Sequence, residues 1–495
     1  MRRDAGRLMP LVASCLLSAC SLAPSSAPAI LESALSVPDR FAGSGVAGSY
    51  DPLEWWKTFA DPVLDHVVEE VLASSFDLAE AVARVEQARM QARIARAPVF
   101  PLIQPSLSGN DFDTPTNAGI GAQLDELGLG SALEGVSGIT LPDRLGLTTY
   151  SSGLEFAYEV DFWGRNRNDA NAAGAIRLAS ESDYQSARIG VLAEAVGTYL
   201  EVVNLRNQQR LADEIAEISE QLESLARSRY DRGLTDVRAL YAARRNLREA
   251  QAEVPQIEAL RAEAEGRLWV LLGGYREDLA AMLPDSLTPS ADLPAIPAGI
   301  PADLLVQRPD VSAAMQRVDA ARYSVGARRS DLLPRLSLQG SIGLQSTDRN
   351  EWFRADQWFR NLTVNLLGPI FQGARLRSNV ALAQAQLNEA AAAFGRSVVA
   401  AVHEVEAALT GLEASRRRHS LRSSVADEAR AEAQLVERQY VSGVASYEDF
   451  LTARQGFLHA RSLLTAAERD RGYARLALHR ALGGAWTANE SEALQ

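Results

Sequence analysis

The chain has 495 residues, 47% of them hydrophobic, and a formal net charge of −13 at pH 7. A field of that sign repels phosphate backbones, so nucleic acid is excluded as a partner. The two cysteines, Cys15 and Cys20, both lie near the amino terminus, which leaves the remaining chain no disulfide or thiol chemistry.

Arg2, Arg3 and Arg7 precede an apolar run from Leu8 to Leu17. This run is too short to cross a bilayer and has the layout of a secretory signal, residues 1–19. It ends in Leu17-Ser18-Ala19-Cys20, similar to the lipobox of bacterial lipoproteins, in which the cysteine becomes the acylated first residue. Cys20 is therefore the expected lipidation site, and Ser21 after it, rather than an aspartate, favours outer-membrane sorting in that class. Removing the signal takes the net charge to −15, because it carries three arginines and one aspartate. Residues 20–57, rich in Ser, Ala, Gly and Pro, read as a tether. Within it Gly43-Ser44-Gly45-Val46-Ala47-Gly48 matches a dinucleotide fingerprint only as a string, since no strand precedes it.

Beyond the tether the chain repeats itself. Asp77, Ala81, Val85, Ala88, Arg89 and Pro101 recur 233 positions later as Asp310, Ala314, Val318, Ala321, Arg322 and Pro334. Tyr230, Gly233, Ala243, Leu272, Gly273 and Gly274 recur 210 positions later as Tyr440, Gly443, Ala453, Leu482, Gly483 and Gly484. The 23-residue difference is extra chain in the first copy. Repeats of this length are two copies of one large supersecondary assembly, with pseudo-twofold symmetry expected between them. The first copy spans 58–284, a proline-rich linker 285–300, the second copy 301–484 and a tail 485–495.

Each copy runs helix, strands, very long helix. Leu154, Phe156, Tyr158, Val160 and Phe162 alternate with Glu155, Ala157, Glu159 and Asp161, giving a greasy face and an acidic one. Leu336, Leu338, Ile342 and Leu344 alternate with polar residues in the second copy, as do Leu362, Val364 and Leu366. A weaker strand runs from Leu102 to about Gly109, interrupted by Pro105, which a barrel tolerates best near its rim. The Gly-rich stretch from Gly109 to Gly146 reads as an extracellular loop, with a flexible lid over the pore as the alternative. From Asp169 to Tyr230 and from Arg375 to Tyr440 no proline occurs while alanines and apolar residues recur at helical spacing. Each would span roughly 90–100 Å, the length of a coiled-coil rod.

After the signal no apolar run approaches a membrane helix, so strands must do any crossing. A sheet in hydrocarbon has to close, and the smallest barrels need about eight strands. Four strands per chain require copies of the same chain, and three copies supply twelve.

The chain resembles the TolC-like outer membrane factor family, in the lipoprotein branch that serves resistance-nodulation-division (RND) efflux pumps. Besides Cys20 and the duplication, the resemblance rests on Trp55-Trp56-Lys57-Thr58-Phe59-Ala60-Asp61-Pro62, Leu304-Leu305-Val306-Gln307-Arg308-Pro309-Asp310-Val311, Gly368-Pro369-Ile370-Phe371-Gln372-Gly373 and Ala481-Leu482-Gly483-Gly484-Ala485-Trp486. It implies an α+β membrane protein, a homotrimer with a twelve-stranded outer-membrane barrel and a periplasmic barrel of long antiparallel helices. It further implies a passive exit duct, anchored by lipid, that docks onto a periplasmic adaptor and an inner-membrane RND transporter and passes small compounds such as drugs outward. A duct for type I protein secretion is the alternative on the same scaffold, and a lipid-anchored coiled coil without a pore is a third reading.

No enzyme is expected. His403-Glu404 opens like a zinc-protease helix, but Ala407 stands where the second histidine belongs. The five histidines, His66, His403, His419, His459 and His479, are scattered along helices and read as surface or interface residues, with no metal site and no cofactor. By the resemblance, the functional residues sit at two helix-turn-helix tips, Tyr230–Ala239 and Tyr440–Asp449. Tyr230, Gly233, Tyr440 and Gly443 would form the turns and meet the adaptor. Glu448 and Asp449 would form acidic rings around the pore, with Arg238 near enough to bridge them as a periplasmic gate. Ala445 and Thr452 depart from the family's arginine and aspartate, leaving the number of rings open.

Overall fold

The computed structural model describes residues 54–115, 144–275, 281–285 and 308–483. Cys20, the glycine string at 43–48, nearly all of the linker and the carboxy-terminal tail lie outside the described residues. The elements are α1 (Pro62–Ser74), α2 (Phe76–Arg96), β1 (Leu102–Pro115), β2 (Arg144–Val160), α3 (Arg165–Asp231), α4 (Val237–Leu271), α5 (Pro309–Ser330), β3 (Arg335–Ser346), β4 (Trp358–Leu367), α6 (Arg375–Val441) and α7 (Tyr447–Ala481). The duplication is visible in their lengths: α3 and α6 have 67 residues each, α4 and α7 have 35 each. All four boundaries of the second pair lie 210 positions beyond those of the first, and α5 begins 233 beyond α2. Among the described residues no helix is long and apolar enough to cross a membrane.

These residues divide into two compact units. One comprises Met90–Gly174 and Ala320–Leu387, the other the remainder.

The first unit is built on one antiparallel sheet in the order β1-β2-β3-β4. Its register puts Phe156 opposite Ile103 and Gly340, Leu154 opposite Ile342, Tyr158 opposite Leu338, and Leu338 opposite Val364. All of these share one face, which is apolar across the four strands. The same register puts Glu155 beside Gln104 and Ser341, Ser151 beside Ser108 and Gln345, and Gln339 beside Thr363, so the middle of the second face is polar, while Leu102, Phe112, Phe359 and Leu367 stand toward its ends. Period-two patterning explains this, because a one-residue slip would interchange the two faces.

The strand boundaries differ from the pattern's expectation. β1 does not stop near Gly109 but continues to Pro115, pairing residue for residue with Arg144–Tyr150. Pro105 lies within it opposite Leu154, on a strand that is the edge of the chain's own sheet, where a missing N–H is best tolerated. The extension is held by an ion pair of 3.0 Å between Arg144 and Asp113 and by the Thr148 hydroxyl donating to Asp111 over 2.8 Å. Both ends of the stretch read as a loop are therefore strand, and 116–143 lie outside the described residues. α3 begins at Arg165, ahead of the expected Asp169, because Gly164 turns the chain at φ 73° and Asp161 accepts the Arg167 N–H at 2.9 Å.

In the second unit, α1, α3 and α4 bury a core that includes Trp55, Trp56, Leu64, Val68, Leu192, Val196, Val203 and Leu268. The tether thus ends earlier than residue 57, since Trp55 and Trp56 are 2% and 4% exposed in a short 3-10 turn at Trp55–Phe59. Burying two indoles stabilises by several kcal/mol, about 1.5–3 for each large side chain. Asp61 caps α1 by accepting the N–H groups of Val63 at 3.0 Å and Leu64 at 3.3 Å, and it also accepts the buried Tyr199 hydroxyl at 2.6 Å. Burial and the adjacent carboxylate push the Tyr199 hydroxyl above its ordinary range, so it stays protonated and donates.

The Arg-Pro-Asp segment is structural. Arg308 forks onto Asp310 at 2.9 and 2.6 Å and donates to Glu404 at 2.7 Å and to the Ala481 carbonyl at 3.0 Å. One guanidinium so ties the start of α5 to α6 and to the last carbonyls of α7, the groups a helix end leaves unmet. Glu404, the residue that resembled a protease base, belongs to this clamp. His479 corrects the expectation of surface histidines: it is 2% exposed and stacks on Trp55 with ring centres 4.9 Å apart. Burial, with Arg475 nearby, lowers its pKa to about 3, so this imidazole packs as a neutral ring.

Candidate functional site

Two features, one in each unit, gather the residues singled out from the sequence. The first is the polar face of the sheet. Ser108 and Ser151 share a hydrogen bond of 2.7 Å there, and Gln104 donates to Glu155 at 3.3 Å. A concave patch on it is lined by Gln104, Glu155, Gln339, Ser341, Asn361 and Thr363, together with Leu102 and Ala157 at one end. Hydroxyls, amides and one carboxylate make most of this patch a hydrated surface rather than an enclosed ligand site. Toward the start of α3, Glu159 forks with Arg165 at 3.1 to 3.2 Å, so the acidic row at 155, 159 and 161 is partly neutralised.

The opposite face leaves Ile103, Leu107, Leu154, Ile342, Leu362, Val364 and Leu366 at least half exposed. Apolar area of this extent on a sheet face demands a covering phase. Tyr150, Trp352 and Phe353 form an aromatic chain with centre distances of 5.9 and 4.9 Å. Beyond Tyr150 the same face turns polar through Thr148, Asp111 and Asp113. An apolar band ended by aromatics and followed by charge is the profile of a strand crossing a bilayer.

The second feature is the pair of tips. At the first, the Gly233 N–H donates to the Tyr230 carbonyl and the Leu234 N–H to the Arg229 carbonyl, both over 2.8 Å. At the second, Gly443 and Val444 repeat this onto Tyr440 and Gln439 at 2.9 and 2.8 Å. Gly233 and Gly443 have φ of 74° and 75°, the left-handed turn that glycine adopts at least cost. Asp236 caps α4 and Ser446 caps α7, the latter in a reciprocal box with Asp449.

The structure separates the three expected gate residues. Glu448 pairs with Arg229, across from its own tip. Asp449 is spent on Ser446, accepting its N–H at 3.0 Å and its hydroxyl at 2.6 Å. Those bonds, with Arg229 adding a smaller attraction, hold the Asp449 carboxyl below its usual range. Arg238 does not reach Glu448 within one chain; it folds back on Asp236 at 3.0 and 2.8 Å. The Ala239 N–H and this guanidinium lower the Asp236 pKa as well. Arg229 is the residue the sequence reading missed. Its signal was faint, for it lies on α3 outside both turns and 219 positions before its partner.

Tyr440, Tyr447 and Phe450 cluster at the second tip, with Tyr440 and Phe450 stacked 5.4 Å apart, while the Tyr447 hydroxyl donates to Gln221 at 2.9 Å. Leu451 and Leu458 pack against Leu211, Ile215 and Ile218 of α3. At both turns apolar residues remain open, with Leu234 71% and Val444 77% exposed.

A family model described as outer membrane efflux protein matches residues 67–274 and 300–484. The chain belongs to the outer membrane efflux protein family. The two matched segments begin 233 positions apart and end 210 apart, the same two offsets that relate the copies. A pyoverdine export outer membrane protein of Pseudomonas putida is 31% identical over 88% of this chain and 88% of its own length. A cation efflux system protein of Escherichia coli is 26% identical over 97% of this chain and 99% of its own. The crystal structure of the Campylobacter jejuni CmeC outer membrane channel superposes with a TM-score of 0.83 at 24% identity, covering 96% of this chain and 98% of that one, and shares the fold. The chain is accordingly an efflux channel of the outer membrane. No group of three or more His, Cys, Asp or Glu gathers as for a metal ion among the described residues.

Proposed function

We propose that three copies of this chain close a twelve-stranded barrel in the outer membrane and serve as the passive exit duct of a tripartite efflux system. The observation that carries this reading is the open four-stranded sheet, apolar on one face and polar on the other, with β1 and β4 each paired on one side only. Unpaired strand edges are untenable in hydrocarbon, so the edges need partners. Lipid on Cys20 anchors the assembly, and the tips around Gly233 and Gly443 receive a periplasmic adaptor that joins the duct to an inner-membrane RND transporter. No catalysis is assigned to the chain.

The cargo is small molecules in solution, because the polar strand face offers hydroxyls and amides rather than a binding pocket. The relatives named above serve pyoverdine export and cation efflux, which fits a duct that conducts what its pump selects. At the tips, Glu448 and Asp449 supply acidic rings, and Arg238 together with Arg229 supplies the opposing charge of the gate.

The test is reconstitution. Detergent-extracted protein should give a light-scattering mass near three times the chain's 53.5 kDa, slightly less after signal removal, and should conduct in a planar bilayer. A stable monomer, or a trimer without conductance, rejects the duct. Fatty-acid labelling should mark the wild type and miss Cys20→Ser; label retained in that variant rejects the anchor.

A further inference from the structure

Directly after β4 the chain makes a strap, Gly368-Pro369-Ile370-Phe371-Gln372-Gly373-Ala374, that presents its two large apolar side chains to nothing in its own chain. Ile370 is 101% exposed and Phe371 88%. The strap is nevertheless fixed in shape. Gly368 sits so close to Pro334 that a side chain there would meet the proline ring at 3.2 Å. Gly373 and Ala374 take successive left-handed conformations, φ 56° and 65°, and Arg375 ties back to Gln372 through its N–H at 3.0 Å and its guanidinium at 2.5 Å. Ala374 adopts a conformation unfavourable for a residue with a Cβ. A chain that holds this geometry in order to expose Ile370 and Phe371 has a receiving surface for them.

The complement lies at the other edge of the same sheet. Where β1 begins, a crevice is lined by Ala97, Phe100, Leu102, Tyr158, Arg165 and Leu338. Phe100 and Leu102 are each 58% exposed beside it. In an antiparallel order of four strands β1 and β4 run in opposite directions. A ring of copies therefore joins β4 of one to β1 of the next in antiparallel fashion. That step brings the end of β4 at Leu367 beside the start of β1 at Leu102, which sets the strap of one copy at the crevice of its neighbour.

We propose that the strap is an intersubunit lock: Ile370 and Phe371 of one copy bury in the crevice beside Phe100 and Leu102 of a second copy of this chain. The inference rests on the shared-barrel reading and deepens it, since strand pairing alone does not say which side chains seal the barrel where the strands meet the helices. The contact is heterologous, knob to crevice in one sense around the ring, so it closes only with a fixed number of copies.

Crosslinking tests it. Phe100→Cys with Phe371→Cys, treated with a short bis-maleimide, should give denaturing-gel bands at two and three chain masses. Either single variant should not, and the wild type controls for Cys15 and Cys20. A link within one chain would leave the mass unchanged, and these residues flank opposite edges of the sheet. A protein that scatters light as a trimer yet gives no such bands overturns the lock and leaves the shared barrel standing; a wild-type monomer overturns both. Independently, Ile370→Asp with Phe371→Asp should lower the trimer-to-monomer ratio by roughly tenfold or more for each side chain lost. Ile370→Val with Phe371→Leu should keep it. Equal ratios in all three proteins overturn the lock.

Discussion

The two tips share a backbone and differ in what holds them. Their turns share the same two glycine-centred hydrogen bonds, to which the second adds the Ala445 N–H on the Gln439 carbonyl, and the helices entering and leaving them have matching lengths. Their side chains have diverged. The second tip is latched to α3 by Leu451, by the Tyr447 hydroxyl on Gln221 and by Glu448 on Arg229. At the first tip, Tyr241 stands where the second has Leu451 and is 61% exposed, and Arg238 serves its own cap. Duplication thus preserved what the turn requires and changed how each tip is held, for the first relies on Leu240, 4% exposed, and on Arg244 pairing with Glu223 of α3 at 3.1 Å. If either tip moves when the channel opens, this difference sets which contacts have to break.

The largest expected effect tests that asymmetry directly. Leu451→Ala removes a side chain that is 2% exposed among Leu211, Ile215 and Ile218, and should destabilise the latch by about 2–5 kcal/mol. Hydrogen exchange over the first turns of α7 should accelerate accordingly. Tyr241→Ala, its counterpart, should stay within about 0.5 kcal/mol over the first turns of α4. Equal losses at the two positions would break the comparison, since Tyr241 would then be buried against another copy.

The turns themselves should behave alike. Gly233→Ala and Gly443→Ala each place a Cβ at positive φ, in space that is otherwise open. Each should cost about 1–2 kcal/mol, measured by the same exchange experiment. A clear inequality would mean that the tips differ in backbone as well as in side chains.

Capping gives a smaller effect. Ser446→Ala should cost about 1 kcal/mol. The pH dependence has one sign at both tips, because Asp236 and Asp449 are both held below the ordinary carboxylate range. Their contribution is complete above the unfolded carboxylate value of about 4 and disappears as the pH falls through the lower folded one. Exchange corrected for intrinsic rate should therefore show both tips loosening below about pH 4. A tip indifferent to pH 3 would show that its carboxylate does not cap in the assembly.

Much of this was legible in the sequence, for identifiable reasons. Period-two alternation from Leu154 to Val160 shows in one strand what the register later shows across four. The 210 and 233 offsets forecast matched helices, since insertions are tolerated between elements and not within them. Side-chain partners were less legible. Trp55, Trp56 and His479 were misplaced because burial depends on contacts between segments hundreds of residues apart, which neither composition nor periodicity records. The extension of β1 past Gly109 was hidden by glycine and aspartate, residues that read as loop until Asp113 meets Arg144. For the tips, the turn residues announced themselves through glycine, while the pairing of Glu448 with Arg229 rather than Arg238 depends on how α3 and α7 are packed, which no local motif encodes.

That last difference leads to the smallest energetic effect and the most direct reading of the gate. The pair between Arg229 and Glu448 is half exposed, with side chains 39% and 50% accessible, so a single copy is worth only about 0.2–1 kcal/mol and weakens with salt. In the proposed trimer three copies around one constriction would act together, and a bias of up to about 3 kcal/mol would be enough to hold a closed population. Arg229→Ser should raise single-channel conductance or open probability in planar bilayers, because it removes the one ion pair among the latches that hold the second tip on α3. Arg238→Ser alone should do less, since Asp236 keeps its bonds to the Arg238 and Ala239 N–H groups. Arg238→Ser combined with Asp449→Ser should raise conductance further, by also removing the reciprocal cap on α7. Glu448→Gln and Asp449→Asn should weaken cation preference, as neutral amides replace the acidic rings. If Arg238→Ser outweighs Arg229→Ser, the bridge forms between copies rather than within one, and the gate is an intersubunit device. If none of these variants changes conductance or selectivity, the constriction lies elsewhere, and the latch at the second tip serves only to keep α7 on α3.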